Sequence, residues 1–346
     1  MKKLNIALCG CRGHAVKFGN LVNSYDESRI VAVWDNEQTL GEAAANALNC
    51  LFENDYDRLL AMPDLNGVII TAENALHREL AVKAAEAHKH IFIEKPLCTH
   101  KEDAFAIQKA VHENDVRFYM SDPFVRAPVI YMKRMMDSGR IGKITAVHIH
   151  VSNDNGVPGR PAELHPDYSY ERMGGGVMAD IGGHALHALH YLLGKPNAVT
   201  SVFSSFHEEA INAGIEESAM MIMQYPHGVL ASVESSFVSQ YESLNINVYG
   251  MEGTICLTNF GGCNERWDVK YKLGNDPWTI VPEDYLPAAP LKHTRYWVNM
   301  MVQDIPNENV GIDDASNNGM SIDNAVECAE ITDAIYRSVN QGTVLL

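Results

Sequence analysis

The first third of this chain alternates short apolar runs with amphipathic stretches, and that alternation constrains its fold more than any other feature. The runs Ile6–Cys9, Arg29–Trp34, Asn66–Thr71, Ile91–Ile93 and Arg117–Met120 have the length of buried strands. The stretches between them, ending at Val22 and then covering Leu40–Leu48, Leu76–His88 and Lys101–Asn114, read as helices. Parallel strands need a crossover, and a helix is the usual one. The pitch therefore predicts a parallel sheet carrying helices. Ligands of such sheets sit beyond the carboxyl ends of the strands, so the residues just after each run are the ones to inspect.

The first run ends in a phosphate-binding candidate. Gly10-Cys11-Arg12-Gly13-His14-Ala15 occupies the frame G-x-G-x-x-G/A. Gly10 and Ala15 fill its first and third positions, but Arg12 stands where the second glycine would let the backbone approach a pyrophosphate. Either Arg12 occupies that place, or the loop is reshaped and Gly13 does the work. His14 sits at the start of the following helix. Asp35 ends the second run at the spacing the dinucleotide fingerprint asks. A carboxylate there accepts ribose hydroxyls and repels the extra phosphate of NADP, so the expected cofactor is NAD rather than NADP.

The chain's 346 residues suffice for two domains, and its formal charge of -17 repels nucleic acid and anionic membranes. No basic run offsets that charge, and no apolar stretch is long enough to span a bilayer. The opening Met1-Lys2-Lys3 precedes a strand and turn rather than a signal peptide. The seven cysteines, Cys9, Cys11, Cys50, Cys98, Cys256, Cys263 and Cys328, are scattered and odd in number, which fits a reducing cytoplasm.

At Glu94-Lys95-Pro96 the chain resembles the Gfo/Idh/MocA oxidoreductases, the glucose–fructose oxidoreductase and inositol dehydrogenase group. The likeness covers almost the whole chain. It includes the glycine turn, Asp35, Asn74-Ala75-Leu76-His77, Ser138-Gly139-Arg140-Ile141-Gly142-Lys143, the segment from Gly174-Gly175-Gly176 to Asp180-Ile181-Gly182-Gly183-His184, and Ala334-Ile335-Tyr336-Arg337-Ser338. The resemblance implies an N-terminal Rossmann domain, residues 1–122, and a C-terminal α/β domain, residues 123–346, with a large, mostly antiparallel open sheet that serves as a homo-oligomer face. The last helix is expected to reach back to the first domain. Strands are expected over Thr145–Ser152, Ala198–Phe206, Ser218–Tyr225, Val229–Ser236 and Ile246–Gly250, several of them alternating apolar and polar residues.

Oxidising an alcohol takes a base for the hydroxyl proton, a donor to steady the alkoxide and a nicotinamide facing the carbon. Lys95 follows a buried-looking strand in the cofactor sheet, where an ammonium would meet the substrate oxygen, and Glu94 would orient it. Asp180 and His184 are four residues apart and share a face if helical. By resemblance His184 is the acid/base, while Asp180 holds substrate or orients the others. The family often has Asp three residues after that histidine, whereas this chain has His187, followed by His190. A metal is not expected, because His190 rotates away from His184 on an ideal helix. Asn74 and His77 are expected along the cofactor groove. Arg126, Asn153 and His165 are the substrate-pocket candidates, alongside His148, His150, Arg160 and Tyr168. Trp267, Trp278 and Trp297 offer sugar stacking or, more commonly, core and interface packing.

The expected activity is NAD-dependent oxidation of a secondary hydroxyl on a sugar, a glycoside (ring C3 among the choices) or a cyclitol. Two alternatives stay open: an NAD-dependent glycoside hydrolase using transient oxidation, and a non-catalytic dinucleotide-binding sensor. Net NADH production separates the first from the second, and turnover separates both from the third.

Overall fold

The computed structural model describes residues 3–121, 125–154, 169–239, 243–260, 267–289, 291–310 and 320–346. The expected substrate residues His165, Arg160 and Tyr168 lie outside them. The chain divides into two compact units: residues 1–123 with 290–326, and residues 124–289 with 327–346. The sequence boundary at 122 matches the first break, while residues 290–326, read there as part of the second domain, belong to the first unit.

The first unit is built on β1 (Leu4–Cys9), β2 (Ser28–Trp34), β3 (Leu51–Phe52), β4 (Leu65–Ile70), β5 (His90–Ile93) and β6 (Phe118–Met120). Their order is β3-β2-β1-β4-β5-β6, and every pair is parallel. Crossovers are made by α1 (Ala15–Asn23), α2 (Gln38–Leu48), α3 (Tyr56–Leu60), α4 (His77–Glu86) and α5 (Lys101–Glu113). Ile6, Leu8, Ile69 and Phe92 are wholly buried, as strands covered on both faces require. The strand order reverses between β1 and β4, which puts the ligand crevice of this sheet type at their carboxyl ends.

Residues 290–326 join this unit through the helix His293–Gln303, and through Asn307 and Met320, which hydrogen-bond the main chain at β6. Trp297 of that helix is fully buried against Phe92, with ring centroids 5.8 Å apart. A Cβ at Gly67 would stand 3.0 Å from the Trp297 ring, so β4 carries a glycine where the indole arrives. Trp297 is thus a core residue of the first unit.

The second unit carries β7 (Ile144–Ser152), β8 (Ala198–Ser204), β9 (Ser218–Gln224), β10 (Leu230–Ser236), β11 (Ser243–Gly250), β12 (Gly253–Phe260), β13 (Trp267–Leu273), β14 (Thr279–Ile280) and β15 (Val344–Leu345). The sheet order is β14-β13-β12-β11-β7-β10-β9-β8-β15, antiparallel except where β7 meets β10. One face, with Val147, Ile149, Met221, Val233, Ile246 and Ile255, is buried with Ala185, Leu186 and Leu189 of the helix Gly183–Leu193. The other face leaves Val202, Met220, Ile222 and Leu230 exposed.

Candidate active site

In the first unit the glycine turn is held by the strands on either side. Gly10 has φ +90°, and a Cβ there would stand 2.2 Å from the Ala72 nitrogen, so only glycine fits between β1 and the end of β4. Its amide donates to the Trp34 carbonyl at 2.8 Å, and the Thr71 hydroxyl donates to its carbonyl at 2.6 Å. Gly13 has φ +50° with nothing within 4 Å of where a Cβ would stand, so this part of the turn is open. The open turn leads into α1, whose N-terminal position is His14.

Asp35 is buried just beyond β2. Its Oδ2 accepts the Cys11 N–H at 2.7 Å and its Oδ1 accepts the Glu37 N–H at 2.7 Å. The guanidinium of Arg12 pairs with Glu37 and lies 3.4 Å from Glu73. Three carboxylates therefore gather at this corner. The sequence reading found Asp35 and Arg12 but missed Glu37 and Glu73, whose only signal was their place just after strands.

Beyond β5, Glu94 faces two ways. Its Oε1 meets His14 Nδ1 at 2.9 Å, and its Oε2 accepts the main-chain N–H of Lys95 at 3.3 Å. Glu94 thus ties the lysine's backbone to the start of α1. Lys95 is half-buried. Asn74 is buried, and so is His77, whose Nδ1 meets the carbonyls of Pro96 and Leu97 at 3.0 and 3.2 Å while Nε2 meets that of Ala72 at 3.1 Å. Burial holds the pKa of His77 below the usual histidine value, against these carbonyls. It braces the Lys95-Pro96 loop from inside the protein rather than presenting its ring to a groove.

In the second unit the glycine run turns into a helix of unusual pitch. Gly174 closes a short helix, Tyr170–Met173, in the left-handed conformation. Residues Met178–Gly182 then form a π-turn, with Gly182 N–H donating to the Val177 carbonyl at 2.8 Å, before the α-helix Gly183–Leu193 begins. Asp180 lies on the π-turn and His184 on the first turn of the helix, so their spacing crosses a widened turn. Asp180 is half-buried and His184 buried.

Glu216, which the sequence reading did not single out, holds this turn. Its Oε1 accepts the N–H groups of Gly176 at 3.0 Å and Met178 at 2.9 Å, and the hydroxyl of Tyr336 at 2.8 Å. Burial pushes its pKa above the usual carboxylate value, while these hydrogen bonds pull the other way. The only hint in the sequence is the pair Glu216-Glu217 immediately before an apolar strand.

His187 is buried, and His190 Nε2 meets Glu327 Oε2 at 2.6 Å. Burial lowers the pKa of His190 despite that carboxylate. Among the described residues no group of three His, Cys, Asp or Glu side chains is placed to hold a metal ion. The Asn153 N–H donates to the Ser236 carbonyl at 2.9 Å, fixing it beside β10. Arg126 lies over the Trp267 ring, 5.6 Å from its centroid, and Lys270 covers Trp278 at 5.1 Å.

Residues 4–122 match the model of an oxidoreductase family with an NAD-binding Rossmann fold, and residues 129–256 match that of the GFO/IDH/MocA C-terminal domain. The chain is 30% identical over 249 residues to a scyllo-inositol 2-dehydrogenase (NAD(+)) of Bacillus subtilis, a match covering 69% of this chain and 68% of that one. It is 28% identical over 256 residues to a 2,7-anhydro-N-acetylneuraminate hydratase of Escherichia coli, covering 73% and 67% respectively. The aldose-aldose oxidoreductase of Caulobacter crescentus, solved with glycerol, superposes with a TM-score of 0.82 at 21% identity over 100% of both chains. At that identity the likeness is one of fold.

Proposed function

Because the chain belongs to the Gfo/Idh/MocA oxidoreductases, we propose that it moves a hydride between NAD and a secondary hydroxyl carbon of a sugar, glycoside or cyclitol. The observation that carries the reading is the corner formed by Gly10, Gly13 and Asp35, a closed glycine and an open one beside a buried carboxylate. Those residues fit a dinucleotide. The open turn from Gly13 to His14 receives the pyrophosphate, Asp35 the ribose hydroxyls, and Asn74, Glu94 and Lys95 line the groove, braced by His77. The carboxylates around Arg12 disfavour a 2′-phosphate, which supports NAD over NADP. When bound, the nicotinamide supplies the hydride acceptor.

Within this reading Lys95 hydrogen-bonds the reacting oxygen, His184 exchanges its proton, and Asp180 holds substrate or orients the other two. Arg126 and Asn153 contribute to holding substrate, with His165. The name of the Bacillus subtilis relative supports a cyclitol as substrate. The exposed apolar face of the large sheet supports assembly of several copies. The described free cysteines support a reducing cytoplasm.

A second reading is an NAD-dependent glycoside hydrolase that oxidises its substrate transiently and reduces it again, so the cofactor is not consumed; a relative named a hydratase, whose name describes no net oxidation, favours keeping it. Purified protein with NAD+ or NADP+ and a panel of sugars, glycosides, inositols and anhydro-sugars distinguishes the two. NADH that accumulates with an oxidised product, and disappears in Lys95→Ala, supports the dehydrogenase. Product formed without net NADH moves the assignment to the internal redox cycle. Tight NAD binding with no turnover on the whole panel favours a sensor.

A further inference from the structure

Three consecutive amides lead into the π-turn, and one residue takes all three. The Gly176 and Met178 N–H groups donate to the side chain of Glu216, and between them the Val177 N–H donates to its main-chain carbonyl at 2.9 Å. The Val177 and Met178 groups are among the donors that the start of a helix leaves without an intrahelical acceptor, and the Gly176 group lies just before them. A cap of this kind is normally the residue just before the helix. Here it comes from the approach to β9, some forty residues on in the chain.

The fit tolerates little change. A Cβ on Gly176 would stand 2.1 Å from the Glu216 carbonyl oxygen, and one on Gly175 would stand 1.7 Å from the Tyr336 hydroxyl. Tyr336, on the helix Ile322–Gln341, donates to the same Glu216 Oε1 and so adds a third hydrogen bond to that oxygen. The glycines are thus small because Glu216 and Tyr336 press on them. Asp180 follows directly, its N–H donating to the Gly176 carbonyl at 3.1 Å. Displacing the 176–178 amides therefore displaces the backbone that carries Asp180 and, one turn on, His184.

We propose that Glu216 is a positioning residue: by accepting the amides of the glycine turn it sets where Asp180 and His184 stand. This rests on the proposed catalytic roles of those two residues, but the clamp itself is testable without them. In the full-length, NAD-saturated protein, Glu216→Ala should speed amide hydrogen exchange across 176–182 by about tenfold or more, the effect of leaving buried donors unsatisfied. It should also shift the His184 imidazole resonance at fixed pH and leave that of His90, in the other unit, in place. Glu216→Gln keeps an acceptor oxygen and should restore both readouts nearly to wild type. Glu216→Asp, which withdraws the carboxylate by one methylene, should behave as the alanine variant does and replaces it should alanine prevent folding.

With NAD+ and scyllo-inositol as the probe, kcat should fall by about tenfold in Glu216→Ala with KM changed much less, because the loss lies in orientation rather than binding. Wild-type exchange and an unmoved His184 resonance in both Glu216→Ala and Glu216→Asp overturn the proposal. So does a Glu216→Gln variant as impaired as the alanine one, since the acceptor would then not be what matters. Undiminished turnover in His184→Ala, or no wild-type turnover of the probe, counts against the catalytic reading and leaves the exchange and resonance results to decide on Glu216.

Discussion

The amide of Cys11 donates to the carboxylate of Asp35 at 2.7 Å, so the glycine turn is fastened to the end of the second strand before any ligand arrives. The same carboxylate caps the Glu37 amide at 2.7 Å. Asp35 is therefore both a structural tie and, in the proposed function, the ribose acceptor. Asp35→Ala removes both roles and leaves two main-chain donors without their acceptor, costing about 1.5–3 kcal/mol. Calorimetric titration with NAD+ should show at least a tenfold weaker Kd, and thermal unfolding should show a lower Tm. An unchanged Kd would remove Asp35 from the cofactor site.

Lys95 is half-buried on a loop braced by Glu94 and His77. Removing its ammonium leaves that bracing intact, because Glu94 holds the backbone N–H and His77 holds the carbonyl of the next residue. Lys95→Ala should fold normally, bind NAD+ nearly as the wild type does, and lose turnover by about a hundredfold to ten-thousandfold. Steady-state NADH production read beside NAD+ titration checks this. Weaker cofactor binding with unchanged kcat would make Lys95 a cofactor ligand only.

His90 gives the first unit a pH dependence of known sign. Its Nδ1 accepts the Arg117 N–H at 2.9 Å, so the neutral ring is the one that fits. Burial, and then the Arg117 charge, push its pKa down to about 4. In the unfolded chain the value returns to about 6.5. Between these values the unfolded chain binds a proton that the folded chain refuses, so stability is complete above pH 6.5 and is lost as pH falls through about 4. The contribution is on the order of 3 kcal/mol. Urea unfolding at neutral pH and at moderately acid pH should show this loss in the wild type and a flatter dependence in His90→Gln. Equal slopes in both would refute the assignment.

How much of this was legible in the sequence depends on whether a residue's partner is near it in the chain. The first-unit strands were, because strands buried on both faces carry apolar runs, and β1, β2, β4 and β5 each contain one. Two-residue β3 was not, since Leu51–Phe52 has no run to detect. The helix around Trp297 has an ordinary amphipathic pattern, and a pattern says that a face is buried without saying against what. Asp180 and His184 could be picked out by resemblance and spacing, but the π-turn that carries Asp180 could not. Glu216 was invisible because its meaning comes from Gly176, Met178 and Tyr336, all distant in sequence. His77 looked like a groove residue by its position, and only its three carbonyl contacts place it inside.

The outer face of the second-unit sheet carries the last prediction. Val202 and Met220 are cross-strand partners exposed by 65% and 53%, and Ile222 and Leu230 beside them by 60% and 49%. Neighbouring apolar side chains on one face are costly to leave in water, and a second copy of the sheet is the cover that the proposed homo-oligomer supplies. Ile222→Glu would bury a carboxylate at the centre of that contact without touching the inner face, where Met221 and Met223 face the core. Light scattering should therefore find the wild type heavier than one chain and Ile222→Glu at the mass of one chain, with unchanged far-ultraviolet circular dichroism. A wild type that runs as a single chain at micromolar concentration would leave this face without a partner of its own kind and withdraw the homo-oligomer from the proposed function.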